Sequence, residues 1–324
     1  QDEFRYEPYG SAMLLRVAAR VNADNRIADW DYDLWSCTHS TRPAGGATAG
    51  NLLAAREKAN PLSESPRYNM RQPTGGADRN AVALYAFPYQ RVTKHFVTDH
   101  PLRVSALRGL GAFGNVFAIE SFIDELAGTT DSDPIDFRLR HLEDQRARAV
   151  LESLAEKLTQ PVETPRNDNE RTGRGVAFAR YKNLGAWIAI ALDVTLNTDS
   201  GTVIVRRATA VVDAGQIVNP DGVRNQVEGG IVQSASWALK EAVAFSADGI
   251  DSVDWASYPI LRFSEVPEIE VELLDRPELP PLGVGEVSQG PTAAAIANAL
   301  ADAADIRIRH LPLTPARVTA PQLS

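Results

Sequence analysis

Gly283-Val284-Gly285-Glu286 sets a carboxylate directly behind two glycines, and Gly290-Pro291 opens an alanine-rich stretch soon after. Glycine lets the backbone come close to another group or take a positive φ. A carboxylate between such a turn and a helix N-terminus suits a catalytic base beside an anion site. The same pattern also fits a solvated Glu in an ordinary turn. A second cluster is Leu107-Arg108-Gly109-Leu110-Gly111-Ala112-Phe113-Gly114. Gly109, Gly111 and Gly114 have the spacing of a dinucleotide loop, but no parallel strand–helix–strand unit surrounds them, which disfavours a free-standing NAD enzyme. Physically, the stretch is a backbone nest with a guanidinium, suited to an oxyanion or phosphate, or else a tight strand-to-helix connection with a surface Arg.

A third group is Gln226-Val227-Glu228-Gly229-Gly230, where two glycines weaken a predicted helix by about 1 kcal/mol each. They point to close approach of a ligand or of another helix. His39, His95, His100, His141 and His310 show no i, i+4 pair and no HExxH, so a histidine-built metal site is not expected. Each reads as structural or exposed; only His39 sits in a cluster of polar groups, Ser36 to Arg42. No GxSxG elbow and no GxxxxGK[ST] loop is present, which counts against a common hydrolase and a P-loop nucleotidase.

These residues need elements to position them. Leu14 to Val21, a turn at Ala23-Asp24-Asn25-Arg26, and Ile27 to Trp35 read as a hairpin. Residues 43 to 80 are rich in Gly, Pro, Ala, Asn and Arg without periodicity, and a loop so long is often functional or held by a partner. Ala81 to Phe87 reads as a strand. Val116, Ile119, Ile123 and Leu126 fall at helical spacing, with Gly128 as the stop. Asp133-Pro134 is an N-cap and first-turn proline for a helix to about Leu142, and Val150, Leu151, Leu154 and Leu158 mark another. Thr159 to Glu170 carries two prolines and reads as a linker. Beyond it come two β-branched runs, Trp187 to Asn197 and Thr202 to Val212, around an Asp199-Ser200-Gly201 turn. A helix over Val223 to Leu239, a strand over Ile269 to Leu274 and a helix over Pro291 to Ala304 complete the pattern. Strands and helices interleave without a βαβ repeat, which argues for an α+β fold.

Of 324 residues, 44% are hydrophobic and 23% charged, which excludes a disordered chain, a coiled coil and a fibre. No run of about 18 apolar residues exists to span a membrane. The net charge of −9 argues against a nucleic-acid partner. A single cysteine, Cys37, excludes an internal disulfide framework and any cysteine-only iron–sulfur site. The chain opens on Gln1 with no initiator Met and no signal pattern, as a processed product or a piece of something larger would.

Taken together, these stretches resemble the molybdopterin-binding subunit of the xanthine dehydrogenase family of molybdenum hydroxylases. Four ordered blocks carry the resemblance over most of the chain: GVGEVSQGPTAAAIANALADAADIRIRHLPLTPARV (283–318), RGLGAFGNVFAIESFIDELA with Asp133-Pro134 and Arg138 (108–138), GRGVAFARY (173–181) and VVDAGQIVNPDGVRNQVEGGIVQ (211–233). Within the family the chain is most similar to the isoquinoline 1-oxidoreductase type β-subunits, on its His39-x-x-Arg42-Pro43 loop and the order of blocks. The family's Met-Gly-Gln-Gly type motif is absent, and such subunits are roughly double this length. The resemblance therefore implies the second half of a subunit, beginning mid-domain near Gln1, from a split gene or a cleaved precursor. It implies two mixed sheet/helix α+β domains, 1–158 and 171–324, joined by a linker at 159–170, with the catalytic Glu in the second.

The resemblance further implies that Glu286 is the base that takes a proton as a water-derived oxygen attacks an electrophilic carbon. Arg108, with Gly109 and Gly111 of its loop, and Gln226 and Gly285 would bind the cofactor; Leu110 and His39 would line the substrate pocket. Leu110 stands where purine-oxidising relatives have an aromatic residue, which argues against xanthine. The implied cofactor is molybdopterin, bare or as its cytosine dinucleotide, with no protein side chain on the molybdenum. The [2Fe-2S] clusters belong on a partner subunit, since Cys37 alone cannot ligate them. The remaining partners implied are the N-terminal half as a separate chain and an FAD or cytochrome subunit. The expected reaction is oxidation of an aldehyde or hydroxylation of an N-heteroaromatic ring. The alternative is a non-catalytic scaffold chain of the same fold without the cofactor. The compartment stays open between cytoplasm and periplasm.

Overall fold

The computed structural model describes residues 8–41 and 48–320. Strands β1 (Met13–Val21) and β2 (Ile27–Ser36) form the expected antiparallel hairpin, with Asn25 at φ 55 in the turn. Strand β3 (Tyr89–Phe96) adds in parallel to β2. The expected strand over Ala81 to Phe87 is not one. Ala81, Ala83 and Tyr85 do alternate inward, but the segment bends repeatedly and has no ladder partner, and pairing starts only at Tyr89. The long loop before it contains a 3-10 turn, Ala49–Asn51, and one helical turn, Leu53–Arg56.

Helix α1 (Ala112–Thr129) begins directly after the 108–111 glycines and runs through Gly128. Helix α2 (Pro134–Arg140) is capped by Asp133, whose side chain accepts from the N–H groups of Ile135 and Asp136. Asp144 caps α3 (Gln145–Lys157) in the same way. After an open, mostly exposed stretch, β4 (Glu170–Arg180), β5 (Trp187–Asn197) and β6 (Val203–Asp213) form an antiparallel meander. Helix α4 (Pro220–Leu239) follows, capped by Asn219. A small hairpin, β7 (Phe245–Ser246) and β8 (Gly249–Ile250), precedes β9 (Glu268–Leu273), which joins β6 in parallel. Helices α5 (Gln289–Ala304) and α6 (Pro315–Thr319) end the described chain. No helix among the described residues is long and apolar enough to cross a membrane.

The four-stranded sheet, in order β4-β5-β6-β9, is the centre of the molecule. Strand β5 is buried at ten successive positions, which explains its unbroken apolar run. One face of the sheet packs Ala177, Ile188, Ile190, Leu192 and Ala210 with Val227 and Ile231 of α4 and Ala293 to Leu300 of α5. The other packs Val176, Phe178, Ala189 and Val211 with α2, α3 and Trp30, Tyr32 and Leu34 of β2. Helix α1 serves both cores, through Val116 and Phe117 on one side and Ile119, Ile123 and Leu126 on the other. Each fully buried Val, Ile, Leu or Phe among them contributes about 1.5–3 kcal/mol, and each alanine methyl less.

Two features lock this packing. Gly173 and Gly175 of β4 let α5 cross at backbone contact: a Cβ on Gly175 would lie 2.0 Å from the Ala295 carbonyl oxygen. In the other core, the buried Arg138 donates from Nε to Glu120 Oε2 (2.8 Å) and from Nη2 to the Val176 carbonyl (3.0 Å). Glu120 also accepts from Tyr85 Oη (2.6 Å) and the Phe178 N–H (2.8 Å). The ion pair therefore ties α1, α2, β4 and the 81–87 segment together.

Candidate active site

Glu286 sits in the turn before α5, its side chain 30% exposed. Its Oε2 accepts from Arg79 Nη1 at 3.2 Å, while Oε1 has no partner among the described residues. Arg79 is buried and fully committed. Nε donates to the Thr74 carbonyl (2.9 Å), Nη2 to the Gly75 carbonyl (3.2 Å) and Nη1 also to Tyr181 Oη (2.9 Å). The backbone beneath it is held by α1, since Asn115 Nδ2 donates to the carbonyls of Ala77 (2.9 Å) and Arg79 (2.8 Å).

Arg108 reaches the backbone just before Glu286. Its Nε donates to the Gly285 carbonyl (2.6 Å), and Nη2 to the Gln226 carbonyl (3.0 Å) and Gln226 Oε1 (3.1 Å). The Gln289 amide lies between the two groups. Oriented to satisfy both, its nitrogen donates to the Glu286 carbonyl (3.1 Å) and its oxygen accepts from Arg108 Nε (2.9 Å). Burial draws the guanidinium pKa values of Arg79 and Arg108 down, and the Glu286 charge pulls both back up.

The glycines of the loop have separate duties. Gly109 takes φ 92, and Leu110 follows in the left-handed region at φ 53. Gly111 packs where a Cβ would lie 2.4 Å from the Ala77 carbonyl oxygen, so the Arg108 and Arg79 loops are pressed together. Gly230 of α4 leaves room for the buried Ser288, whose Oγ would lie 2.1 Å from a Cβ there. That is helix packing. At Gly229 and Gly283 a Cβ would meet nothing within 4 Å, and at Gly285 only Gln226 Oε1 at 3.7 Å. An open, glycine-walled surface thus borders Arg108, Gln226 and the free oxygen of Glu286. That surface, with its amide and guanidinium donors, fits a flat, polar, anionic cofactor.

Of the residues expected from sequence, Glu286, Gly285, Arg108 and Gln226 come together here. Gly109 and Gly111 shape the Arg108 loop from behind. Leu110 and His39 face a different space, a cavity of ≈ 1200 Å³ floored by α1 and walled by β1. Glu286 does not line it; Arg108 stands between the two. His39 is buried and bonded to Ser36 Oγ at 3.0 Å, and its pKa is pushed down to about 4 by burial and the Arg79 charge. Arg42 and Pro43 of its loop lie outside the described residues. Arg79, Tyr181, Asn115 and Gln289 escape the sequence reading. Tyr181, Asn115 and Gln289 lie inside blocks that carry the resemblance without being singled out there, and Arg79 lies in none of them.

Two molybdopterin cofactor-binding domain families match the chain, over residues 71–142 and 138–267. A nicotinate dehydrogenase subunit from Pseudomonas putida is 39% identical over 99% of the chain. The chain belongs to the molybdopterin-binding subunits of the xanthine dehydrogenase family. The β-subunit of isoquinoline 1-oxidoreductase from Brevundimonas diminuta is 34% identical over 72% of the chain. The aldehyde oxidoreductase of Desulfovibrio gigas shares the fold at a TM-score of 0.74, with 15% identity over 97% of the chain. The chain spans only part of each: 26% of the first, 30% of the second and 49% of the third.

Proposed function

We propose that this chain carries the catalytic base of a molybdenum hydroxylase that oxidises an aldehyde or hydroxylates an N-heteroaromatic ring, with Glu286 as that base. The observation that carries the reading is the asymmetry of the Glu286 carboxylate: Oε2 is held by Arg79 and Oε1 is free beside the glycine-walled surface. A base must be oriented without being consumed by its own support, and one anchored oxygen achieves that. Bound molybdopterin would supply the two-electron redox chemistry. The chain's own residues do the rest. Arg108 and Gln226 would hold the cofactor's polar edge, with the buried Gln289 bracing Arg108 from behind, and the glycines let it lie close to the backbone. Glu286 Oε1 takes the proton released as the water-derived oxygen attacks, and Arg79 keeps that oxygen of the carboxylate turned outward to receive it.

The relatives named above point to nicotinate, isoquinoline or an aldehyde as substrate types. The part of their length that this chain does not span would carry the rest of the cofactor site, and partner subunits the [2Fe-2S] clusters and a flavin or cytochrome. The large apolar cavity, with exposed Leu14, Phe245 and Trp255 around it, is the seat we assign to the remainder of the subunit. Metal analysis of the assembled complex tests the reading. Molybdenum and iron in fixed ratio to this chain are expected, and a complex without molybdenum makes the chain a scaffold.

A further inference from the structure

Between β4 and β5 the chain makes a strained turn. Lys182 and Asn183 both take φ 56, a left-handed backbone that non-glycine residues adopt only where their surroundings enforce it. Asn80 enforces it. Its Oδ1 accepts from the Lys182 N–H (2.9 Å), and its Nδ2 donates to the Arg180 carbonyl (2.7 Å) and Asn183 Oδ1 (2.8 Å). Asn80 is the residue after Arg79, so the segment that fixes Arg79 on Glu286 also fixes Lys182.

The Lys182 ammonium lies 4.9 Å from the centre of the Tyr181 ring, whose hydroxyl accepts from Arg79. Side chains therefore connect Lys182 to Glu286 through Tyr181 and Arg79. Lys94, Lys157 and Lys240 each reach a carboxylate, but the Lys182 ammonium makes no hydrogen bond or ion pair among the described residues. It is half-buried, and burial together with the nearby Arg79 charge draws its pKa down. Arg79 and Arg108 both feel the Glu286 charge, and Lys182 adds a third positive charge close enough to feel Arg79, in a protein of net charge −9. A local excess of positive charge in an acidic protein draws anions to that spot.

We propose that Lys182 is a specificity-determining residue that binds an anionic group, a carboxylate, on the substrate of this site. The proposal rests on the hydroxylase reading for the reaction itself. A cofactor phosphate offers the same chemistry as a substrate carboxylate, and experiment separates the two. In the assembled enzyme, kcat/KM is compared for pyridine-3-carboxylate and its neutral amide, in the native form and in Lys182→Met and Lys182→Arg. Loss of one charge contact is expected to lower the acid-over-amide preference about tenfold, through KM, in Lys182→Met. Lys182→Arg should recover most of it, with molybdenum and pterin content equal in all three. An unchanged preference overturns the proposal. Loss of pterin content in Lys182→Met also overturns it, and assigns the residue to the cofactor phosphate. Equilibrium dialysis of the acid and the amide reads the same preference without turnover, so a failure of the hydroxylase reading leaves this test standing. Equal binding of the two, or binding of neither, sinks it.

Discussion

Arg79 Nη1 stands 3.2 Å from Glu286 Oε2 although 207 positions separate them in the chain. The buried guanidinium cannot swing, because the Thr74 and Gly75 carbonyls hold its other edges. The carboxylate is therefore oriented by a fixed group. Glu286→Gln keeps an oxygen to accept from Arg79 but removes the proton acceptor. We expect turnover to fall by about 10²–10⁴, the usual weight of a general base, with molybdenum and pterin content retained. Steady-state kinetics beside metal analysis reads both. Near-normal turnover removes Glu286 from the role.

Arg79 itself is a positioning residue. Arg79→Met leaves Glu286 without its anchor and strips two backbone carbonyls of their donor, at about 1–3 kcal/mol for a buried group left unmade. A lowered thermal midpoint is expected, but that alone would suit any structural residue. The telling readout is the split between kcat and KM. A misaimed base lowers kcat at saturating substrate by about tenfold or more while KM holds, since one tenfold step is only about 1.4 kcal/mol of barrier. Arg79→Lys restores the charge without the planar fork and is expected to recover only part of kcat. If KM carries the whole effect, Arg79 touches substrate instead.

The sequence makes Glu286, Arg108 and Gln226 legible because each lies in a glycine-marked block beside a strongly periodic helix. Helix α1 is legible from its apolar spacing, α5 from its alanine-rich propensity and first-turn proline, and the β5–β6 hairpin from its β-branched runs around Asp199-Ser200-Gly201. Arg79 is not. It lies in a loop without periodicity, and its role exists only through contacts with Tyr181 and Glu286, both distant in sequence. The 81–87 segment misleads in the opposite way. Its alternation is real burial, but alternation reports which side chains point inward and not whether the backbone finds a ladder. The glycines of Gln226-Val227-Glu228-Gly229-Gly230 divide between both readings: Gly230 packs on Ser288, and Gly229 stays open.

His39 gives the fold a pH dependence. Its folded pKa is lowered to about 4 by burial and the Arg79 charge, against about 6.5 in an unfolded chain. Between those values the unfolded state binds the extra proton and the native state does not. Stability is therefore full above about pH 6.5 and falls as the pH drops toward 4, by at most about 3 kcal/mol. Thermal midpoints of the assembled complex at pH 7 and pH 5 measure it. His39→Gln, which keeps a partner for Ser36 but cannot titrate, is expected to show a shallower drop. An equal drop in the variant places the acid sensitivity elsewhere.

Gly175 and Gly128 test whether α5 is seated by backbone contact. A Cβ on Gly175 would lie 2.0 Å from the Ala295 carbonyl oxygen and 2.3 Å from the Ala299 nitrogen, neither of which yields without moving the helix. Gly175→Ala is therefore expected to cost at least about 1–3 kcal/mol, the range for overpacking a rigid contact. The displaced helix carries Gln289 in its first turn, so the bridge from Arg108 to the Glu286 carbonyl loosens and kcat should fall with stability. Gly128 is the opposite case. It is exposed in α1, and a Cβ there would meet nothing within 4 Å. Gly128→Ala should stabilise by up to about 1 kcal/mol through helix propensity and leave kcat alone. Thermal midpoints of the two variants moving in opposite directions is the expected result. A tolerated Gly175→Ala would mean that α5 has slack, and that the close crossing is not what sets Gln289 beside Glu286.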